Sequence, residues 1–347
     1  MTATDIFPIT LLKWYAVNGR ALPWRETKDP YAIWLSEVIL QQTRIEQGGP
    51  YWERFMRRWP TVKDLAAATE DEVLREWQGL GYYSRARHLH EAARQIVAQG
   101  TFPQTLQEIR SLKGVGDYTA AAIASFAYDM PAAVVDGNVY RVLSRYFDIE
   151  VPINSTEGVK LFKALAQSLL PEGAPAAYNQ AIMDFGAVLC TPSSPQCLTC
   201  PLMDSCMALR NGTVEQRPVK KKTLKVRERH LIYLYLRCNG ETAIRRRGAG
   251  DIWQGLWEPV LVCDDDRCCL DNTVANHLLQ QSILVKKDFK HVLTHRVLLT
   301  DFYLLKTDER PPLPSDYRWI PEDTLDTFAK PRLIELLLAD QSGTELK

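Results

Sequence analysis

The sequence has 347 residues, which is long for one hydrophobic core and predicts two or more domains. Its 42 basic residues balance 42 acidic ones, so any site that binds a polyanion must be a local patch. No apolar run reaches the roughly 20 residues that a membrane span needs, and the N-terminal stretch lacks the basic start of a secretory signal. We therefore expect an intracellular protein without membrane contacts, whose thiols stay reduced.

Residues 5–210 have the pattern of helices. The stretch DEVLREWQGLGYYSRARHLHEAARQIVAQG at 71–100 contains two helical patterns, which Gly79 and Gly81 interrupt. Within 155–170, a serine that can cap a helix precedes apolar residues at helical spacing. No strong alternation of apolar and polar residues occurs in this part, so the sequence predicts a mainly α domain.

A glycine-rich turn, LKGVGDYTAAAI at 112–123, leads into a helix of small residues. Gly114 and Gly116 would let an anion approach the backbone N–H groups at the start of that helix. A turn that merely joins two helices is the commoner source of such a pattern. The residues alone leave both interpretations open.

Four of the eight cysteines fall within 17 residues, in the arrangement C-x6-C-x2-C-x5-C. Thiols at this density indicate a metal centre, and either a zinc ion or a [4Fe–4S] cluster fits four cysteine ligands. The candidate ligands are Cys190, Cys197, Cys200 and Cys206. The other cysteines lack ligand-like spacing and are interpreted as ordinary thiols: Cys238, Cys263, Cys268 and Cys269.

The composition changes at the polar, basic stretch 211–229, which we interpret as a linker that is flexible in part. After it, 230–247 predicts two strands around a turn at Asn239-Gly240. HVLTHRVLLTDFYLL at 291–305 predicts a further strand, and PRLIELLLAD at 331–340 predicts a closing helix with proline at its start. A smaller α+β domain is therefore expected after the helical one.

Six features follow one another along the chain: LPWR (22–25), LSEVILQQTR (35–44), GLGYYSRARHL (79–89), the turn at 112–116, VVDGNVYRV (134–142) and the four cysteines. Together they resemble the helix-hairpin-helix DNA glycosylases, and among these the MutY-type adenine DNA glycosylases. The resemblance covers nearly the whole chain, and in that superfamily this cysteine spacing implies a [4Fe–4S] cluster.

The resemblance implies a two-lobed, mainly α glycosylase domain at 1–210, with the helix-hairpin-helix at about 105–127 and the iron–sulfur loop at 190–206. A Nudix-like lesion-recognition domain would occupy 230–347, in which GDIWQGLWEPV is similar to a strand and loop of Nudix domains. The Nudix hydrolase signature is missing from the sequence, so pyrophosphate hydrolysis is not expected.

The family holds a DNA phosphate with the backbone N–H groups of the glycine turn. Lys113 and Asp117 depart from the family, in which proline and a basic residue are common at these positions. Asp117 would either weaken phosphate binding or cap the following helix. Tyr118 stands where the related endonuclease III-like enzymes have a lysine nucleophile, which implies base removal without efficient strand cleavage.

Cleavage of a purine N-glycosidic bond requires a proton for the leaving base and a negative charge for the cationic sugar. Glu37 would share a helix face with apolar residues that raise its pKa, so it is the candidate acid; the alternative is a glutamate on a solvated face. The resemblance implies that this acid protonates N7 of adenine. It also makes Asp136 the carboxylate that stabilises the sugar, oriented by Tyr118 and Asn138, whereas a helix N-cap is the ordinary role of such an aspartate.

Adenine must be flipped out of the duplex before it can be reached. The resemblance assigns Gln42 and Tyr82 to the gap that adenine leaves, with Gln41 nearby. Arg25 and Asp184 are candidates for contacts near the base.

In the second domain, Leu293, Thr294 and His295 stand where the family has Phe-Ser-His, a stretch that recognises 8-oxoguanine. The hydroxyl and the histidine are kept, and an aromatic contact is lost. The alternative is an ordinary strand with incidental polar residues.

We therefore expect a monomeric, monofunctional glycosylase that removes adenine opposite 8-oxoguanine or guanine in double-stranded DNA. If it is bacterial, it would be cytoplasmic and nucleoid-associated. One alternative is a glycosylase of the same fold for thymine or an oxidised pyrimidine, against which Tyr118 and the Nudix-like domain count. Another is a non-catalytic DNA-binding iron–sulfur protein, against which the pair Glu37 and Asp136 counts.

Overall fold

The computed structural model describes residues 3–221, 226–265 and 267–339. The chain divides into two compact units. The first, called the helical unit below, comprises Met1–Trp52, Met56–Lys63 and Glu91–Lys222. The second, called the mixed unit, comprises Glu53–Phe55, Asp64–His90 and Thr223–Lys347.

Helices account for most of residues 3–210, as the sequence predicts. They are α1 (Ala3–Asn18), α2 (Pro30–Ile39), α3 (Ile45–Arg58), α4 (Val62–Ala67), α5 (Glu70–Glu76), α6 (Ser84–Gln99), α7 (Leu106–Ser111), α8 (Asp117–Tyr128), α9 (Gly137–Tyr146), α10 (Thr156–Ser168), α11 (Pro175–Val188), α12 (Met207–Arg210), α13 (Asn272–Gln280) and α14 (Arg332–Ala339). None of the helices in the described ranges is long and apolar enough to cross a membrane.

The helix ends follow local rules that the sequence displays. Both α5 and α7 begin with a capping box, in which Thr69 pairs with Glu72 and Thr105 pairs with Glu108. The glycine turn joins α7 to α8 and confirms the predicted helix-hairpin-helix element. This hairpin brings the start of α8 to the surface of the helical unit that is described below as the candidate site.

One hydrophobic core of the helical unit forms where α1, α9 and α11 pack together. Its fully buried members include Phe7, Leu143 and Phe162. Three of the predicted metal ligands pack against this core: Cys190, Cys200 and Cys206. The cysteine-rich loop therefore packs against a core to which α9 contributes, the helix whose start carries Asp136 and Asn138.

The mixed unit contains an eight-stranded sheet with helices, as predicted for a smaller α+β domain. The strands are β1 (Arg227–Cys238), β2 (Glu241–Arg246), β3 (Trp257–Glu258), β4 (Val260–Asp264), β5 (Arg267–Cys268), β6 (Ile283–Val292), β7 (Arg296–Thr307) and β8 (Tyr317–Pro321). The central strand β1 pairs in parallel with β7 and antiparallel with β2 and β4. The predicted turn between β1 and β2 is confirmed, because Asn239 and Gly240 both have positive φ angles, of 50° and 79°.

The prediction of one strand over 291–305 is wrong. β6 ends at Val292, β7 starts at Arg296, and the two strands form an antiparallel hairpin in which Val292 faces Val297. The Leu293 N–H donates to the Arg296 carbonyl at 2.8 Å and closes the turn. The turn lacks the Asn-Gly or Asp-Gly pair of common hairpins, so the sequence pattern runs through it without a break.

The basic stretch at 211–229 differs from the expected linker. The Ile153 N–H donates to the Val219 carbonyl at 3.0 Å, and the side chain of Asn154 pairs with the backbone of Lys221. Arg217 is buried and forms an ion pair with Asp148. Residues 211–221 thus lie against the helical unit, and β1 begins at residue 227 rather than 230. The predicted domain boundaries stay a prediction.

Candidate active site and metal centre

A cleft of about 880 Å³ in the helical unit collects most of the predicted site residues. Its walls come from α2, the glycine turn, and the starts of α8 and α9. The predicted residues that line it are Arg25, Glu37, Gln41, Gln42, Gly114, Gly116, Tyr118, Asp136 and Asn138. Residues scattered over about one hundred positions of sequence are therefore brought to one concave surface.

Glu37 lies on α2 and is buried there, as its apolar neighbours predict. Every residue of this ten-residue helix is buried except the first. The Tyr118 hydroxyl donates to Oε2 of Glu37 at 3.0 Å. Burial raises the pKa of Glu37 to about 7; the Tyr118 hydrogen bond opposes this rise, and the nearby charge of Asp136 adds to it. Glu37 can therefore carry a proton near neutral pH and release it, as a general acid must.

Asp136 is both an N-cap and a carboxylate of the cleft. Its Oδ1 accepts the Val139 N–H at 2.8 Å, which caps α9, and its Oδ2 accepts a hydrogen bond from the Asn138 amide at 2.7 Å. Burial raises the pKa of Asp136, while these hydrogen bonds lower it. The N-cap role is thus compatible with the predicted role, because the hydrogen bonds fix the orientation of the carboxylate. Asn138 contacts Asp136 as the resemblance implies, whereas the Tyr118 hydroxyl is bonded to Glu37 instead.

Asn138 is itself held in place by residues that sequence reasoning missed. Arg141, one turn further along α9, donates to Oδ1 of Asn138 at 2.8 Å and to the carbonyls of Gly186 and Cys190, both at 2.7 Å. A Cβ added at Gly186 would lie 2.7 Å from Cβ of Asn138, so α11 approaches α9 closely there. A chain of hydrogen bonds therefore runs from the backbone of Cys190 to the Asp136 carboxylate. Only the helical i, i+3 spacing of Asn138 and Arg141 hints at it in the sequence.

Asp184 is completely buried and is held by two arginines. Arg25 donates to both of its carboxylate oxygens, at 2.7 and 2.8 Å. Arg20, which sequence reasoning missed, donates to Asp184 through its side chain at 2.8 Å and through its backbone N–H at 2.9 Å. The positive charge of Arg25 also lowers the pKa of Glu37, although burial of Glu37 outweighs it. Asp184 thus anchors cations beside the cleft.

The glycine turn has the backbone that its sequence suggests. Gly114 has a φ of 75°, and Gly116 is the N-cap residue of α8, with nothing within 4 Å of the place where its Cβ would be. Asp117 is the first helical residue and not the cap; its carboxylate pairs with Arg110 at 2.7 Å and Lys163 at 3.2 Å. The open space at Gly116 would allow a phosphate to approach the start of α8.

Gln41 and Gln42 follow the end of α2. The Gln41 amide donates to the Thr119 hydroxyl at 3.1 Å, and Gln42 has a φ of 55°, in the left-handed region. Non-glycine residues seldom adopt this conformation, and those that do are often found at functional sites.

Three predicted DNA contacts lie in the mixed unit. Tyr82 has a φ of 48° and an exposed ring, and its hydroxyl is hydrogen-bonded to the Thr294 hydroxyl. Thr294 and His295 are exposed in the turn between β6 and β7, whereas Leu293 packs partly into the core. The structure thus brings Tyr82 to Thr294, a contact that spans 212 positions of sequence.

The four predicted metal ligands line one cavity with mostly apolar walls. Arg145 reaches into this loop and donates to Sγ of Cys190 at 3.4 Å and to the Thr191 carbonyl at 2.7 Å. Burial raises the pKa of the Cys200 thiol to about 12, and a bound metal would reverse this effect by its own positive charge. Among the described residues, no group of three or more His, Cys, Asp or Glu side chains is arranged to hold a single metal ion. Four thiols around one cavity match the four cysteine ligands of a [4Fe–4S] cluster.

Three family models match the chain. The HhH-GPD superfamily of base excision DNA repair proteins matches residues 35–166, and the iron–sulfur binding domain of endonuclease III matches residues 190–206. The NUDIX domain matches residues 232–340. The predicted fold is thereby confirmed, and the choice between zinc and a [4Fe–4S] cluster is decided for the cluster.

Known relatives and solved structures give the same picture. An adenine DNA glycosylase of Buchnera aphidicola subsp. Baizongia pistaciae is 34% identical over 305 residues, which cover 85% of this chain and 84% of that protein. An adenine DNA glycosylase of Homo sapiens is 43% identical over 218 residues, which cover 60% of this chain but 40% of the human one. The chain thus spans less than half the length of its human relative.

Among solved structures, a thermostable thymine-DNA glycosylase is 31% identical, with a TM-score of 0.57 over 60% of this chain and 97% of that one. A non-covalent endonuclease III–DNA complex is 21% identical, with a TM-score of 0.53 over 61% of this chain and 99% of the other, and supports the fold alone.

Proposed function

The chain belongs to the adenine DNA glycosylases of the helix-hairpin-helix superfamily, and from that premise we propose that it removes adenine paired with 8-oxoguanine or guanine in double-stranded DNA. The observation that carries the proposal is the pair of buried carboxyl groups in one cleft. Glu37, bonded to Tyr118, has a pKa of about 7, and Asp136 is fixed by Asn138 and the start of α9. Two carboxyl groups in different surroundings suit the two charge requirements of N-glycosidic cleavage.

In this proposal, Glu37 donates its proton to N7 of the flipped adenine, so that the base leaves as a neutral molecule. The bond between the base and C1′ then breaks, and the ionised Asp136 stabilises the positive charge that develops on the sugar. A water molecule adds to C1′ and gives up a proton to the Glu37 carboxylate, which restores the acid. Tyr118 orients Glu37 by its hydrogen bond, and Asn138 orients Asp136. Because Tyr118 offers no amine, no Schiff base forms, and the product is an abasic site in an intact strand.

We propose DNA contacts in each unit separately. In the helical unit, Gly114 and Gly116 present backbone N–H groups to a phosphate, and Gln42, with Gln41 beside it, contacts the space that adenine leaves. In the mixed unit, Tyr82 is the side chain that enters the base stack. Arg25, anchored by Asp184, contributes a cation next to the base pocket. These roles rest on the left-handed backbone of Gln42 and Tyr82 and on the open space at Gly116.

Thr294 and His295 read the base opposite adenine in this proposal, since both are exposed at the tip of a hairpin. Leu293 packs partly into the core instead of offering an aromatic ring. Cys190, Cys197, Cys200 and Cys206 would hold the [4Fe–4S] cluster, which supports the loop at 190–206. We further propose that the protein acts as a monomer.

The test is a single-turnover assay on duplexes with A opposite 8-oxoguanine, A opposite guanine, and T opposite guanine. We expect adenine release from the first two, with strand breaks only after alkali treatment. Cleavage of the T-containing duplex alone would instead assign the activity in the name of the thymine-DNA glycosylase, to which the helical part is similar. Binding without release from any duplex would indicate a non-catalytic protein.

A further inference from the structure

Arg85, in the first turn of α6, contacts two aromatic rings and is itself mostly buried, with 9% of its surface exposed. Its guanidinium carbon lies 5.6 Å from the centroid of the Tyr82 ring and 5.1 Å from the centroid of the Trp77 ring. Trp77 is completely buried, whereas Tyr82 is 46% exposed. The cation therefore connects the interior of the mixed unit to a ring that faces solvent.

The same arginine fixes the backbone on which Tyr82 stands. The Gly81 carbonyl accepts hydrogen bonds from Nη2 of Arg85 at 3.3 Å and from Nε1 of Trp77 at 3.0 Å. The Arg85 N–H donates to the Tyr82 carbonyl at 2.9 Å. Gly81 and Tyr82 both have positive φ angles, of 74° and 48°. A left-handed tyrosine is unfavourable, so it persists only where its surroundings hold it.

The other end of the Tyr82 side chain is held by Thr294, whose hydroxyl is hydrogen-bonded to the Tyr82 hydroxyl. Arg85 thus restrains the ring and the backbone, and Thr294 restrains the tip. A side chain that enters a base stack must be rigid, because ordering it at the moment of binding would reduce affinity.

We propose that Arg85 is a positioning residue for Tyr82, which it holds in the orientation needed to enter the DNA gap. The proposal rests on the function given above, in which Tyr82 is the inserted side chain. It assigns Arg85 no contact with DNA. Burial lowers the pKa of Arg85 to about 10, so the group remains a cation at neutral pH while its charge is largely withdrawn from solvent.

A direct contact between Arg85 and a DNA phosphate is the competing role, since arginine is a common phosphate ligand. The two roles differ in their salt dependence. Loss of a phosphate contact reduces the slope of log affinity against log salt concentration by about 1. A positioning residue leaves that slope unchanged, because no counterion is released by it.

The decisive experiment is a double-mutant cycle with Arg85→Met, Tyr82→Ala and the double variant, measured as single-turnover excision on the A:8-oxoguanine duplex. We expect Arg85→Met alone to slow excision by about 3- to 30-fold, the range of a partly buried cation–π contact. In the Tyr82→Ala background the same change should add less than about twofold, because the residue it positions is gone. Arg94→Met, which removes an exposed arginine from the same helix, is the matched control and should excise like the wild type.

A merely structural role would lower the melting temperature by the same amount in both backgrounds. It would also lower the excision rate by the same factor in both. Full additivity of the two rate effects would overturn the proposal, and so would a shallower salt slope in Arg85→Met. Arg85→Lys serves as the conservative variant: it keeps the charge without the planar group, and should restore only part of the rate.

A second readout separates this inference from the proposed function. A fluorescent purine placed next to 8-oxoguanine should change its emission when the wild type binds, because Tyr82 alters the base stack. We expect Arg85→Met to reduce that change and Arg94→Met to keep it. If the wild type bound but excised nothing, the proposed function would fail while this readout still tested Arg85. An equal change in wild type and Arg85→Met would overturn the inference.

Discussion

At the scale of single residues, burial determines what the carboxyl groups of the cleft can do. The apolar neighbours of Glu37 are visible in the sequence, so its raised pKa could be predicted from helical periodicity alone. Its hydrogen bond to Tyr118 could not, since that partner lies 81 positions away and is brought near only by the packing of α2 on α8. Asp136 could be recognised as an N-cap from the residues alone, whereas its orientation by Asn138 was implied only by the resemblance to the glycosylases.

The first prediction concerns Glu37. The pKa of Glu37 is about 7, and its protonated form is the active one, so excision should fall by about tenfold per pH unit above that value. Glu37→Gln should slow excision by about 10²- to 10⁴-fold and remove this pH dependence, while duplex binding persists. Single-turnover rates between pH 6 and 9 provide the measurement.

A comparison of the stability of Glu37→Gln with that of the wild type is the control for this prediction. Because the pKa of Glu37 is raised on folding from its usual 4.5, its contribution to stability is full below about pH 4.5 and is lost as the pH rises through about 7. Glu37→Gln, which cannot ionise, should therefore be no less stable than the wild type at pH 8. A variant that excises adenine at the wild-type rate would show that Glu37 is not the acid.

The second prediction concerns Tyr118. Tyr118→Lys should add strand cleavage to base removal, because a deprotonated amine at this place could attack C1′ and form a Schiff base with the sugar. Burial will favour the neutral amine there. Borohydride should trap a covalent complex of this variant with DNA, and Tyr118→Phe is the control that should give none. A lysine variant that excises adenine without any trapped complex would contradict the assignment of this position.

At the scale of elements, local rules predicted well and tertiary contacts were missed. The Asn239-Gly240 turn and the serine cap of α10 were predicted from neighbouring residues. The capping boxes of α5 and α7 were not predicted, although they follow the same local rules. The turn between β6 and β7 carries no such signal, because Leu293 closes it without glycine or asparagine. Arg141 was missed for another reason: its partners Gly186 and Cys190 become neighbours only when α9 packs against α11.

The third prediction belongs to the hairpin of β6 and β7. Replacing Thr294 and His295 together by alanine should reduce the preference for A:8-oxoguanine over A:G, by about 1–3 kcal/mol for a good pair of base contacts. The loss should lie at the lower end, because Leu293 offers no aromatic ring. Excision rates on the two duplexes provide the measurement, and Thr294→Ser, which keeps the hydroxyl bonded to Tyr82, is the matched control. Equal losses on both duplexes would indicate a folding defect or a general DNA contact.

At the scale of the whole molecule, the two compact units do not follow the order of the chain. Residues 64–90 cluster with the sheet by their contacts, and the domain boundaries expected from the sequence stay a prediction. Within the mixed unit, Arg246 pairs with Glu70 at 2.8 Å, and the Tyr83 hydroxyl reaches the Lys330 carbonyl. Such contacts span more than 170 positions, and no local pattern announces them. The hydrogen bond between Tyr82 and Thr294 is another long-range contact within the mixed unit.

The last prediction concerns the iron–sulfur cluster, whose loss should affect the helical unit and leave the sheet of the mixed unit intact. Cys197→Ser removes one thiolate, so the protein should lose iron and its brown colour, since a cluster needs its full ligand set. The loop at 190–206 would then no longer offer the Cys190 carbonyl to Arg141, and the support of Asn138 and Asp136 would weaken. Excision should fall by at least about tenfold, as for lost support of a functional group.

Hydrogen exchange on this variant tests where the effect ends. Protection should decrease in α9 and α11, which pack around the cysteine loop, and should persist in β1 and β7 of the sheet, whose pairing involves no residue of that loop. Cys268→Ser, at an exposed cysteine outside the cluster, is the control and should retain iron and activity. The contacts of α9 and α11 with the cysteine loop indicate that the cluster supports these two helices locally. That conclusion would be wrong if Cys197→Ser kept its iron, or if it lost protection in the sheet as much as in the helices.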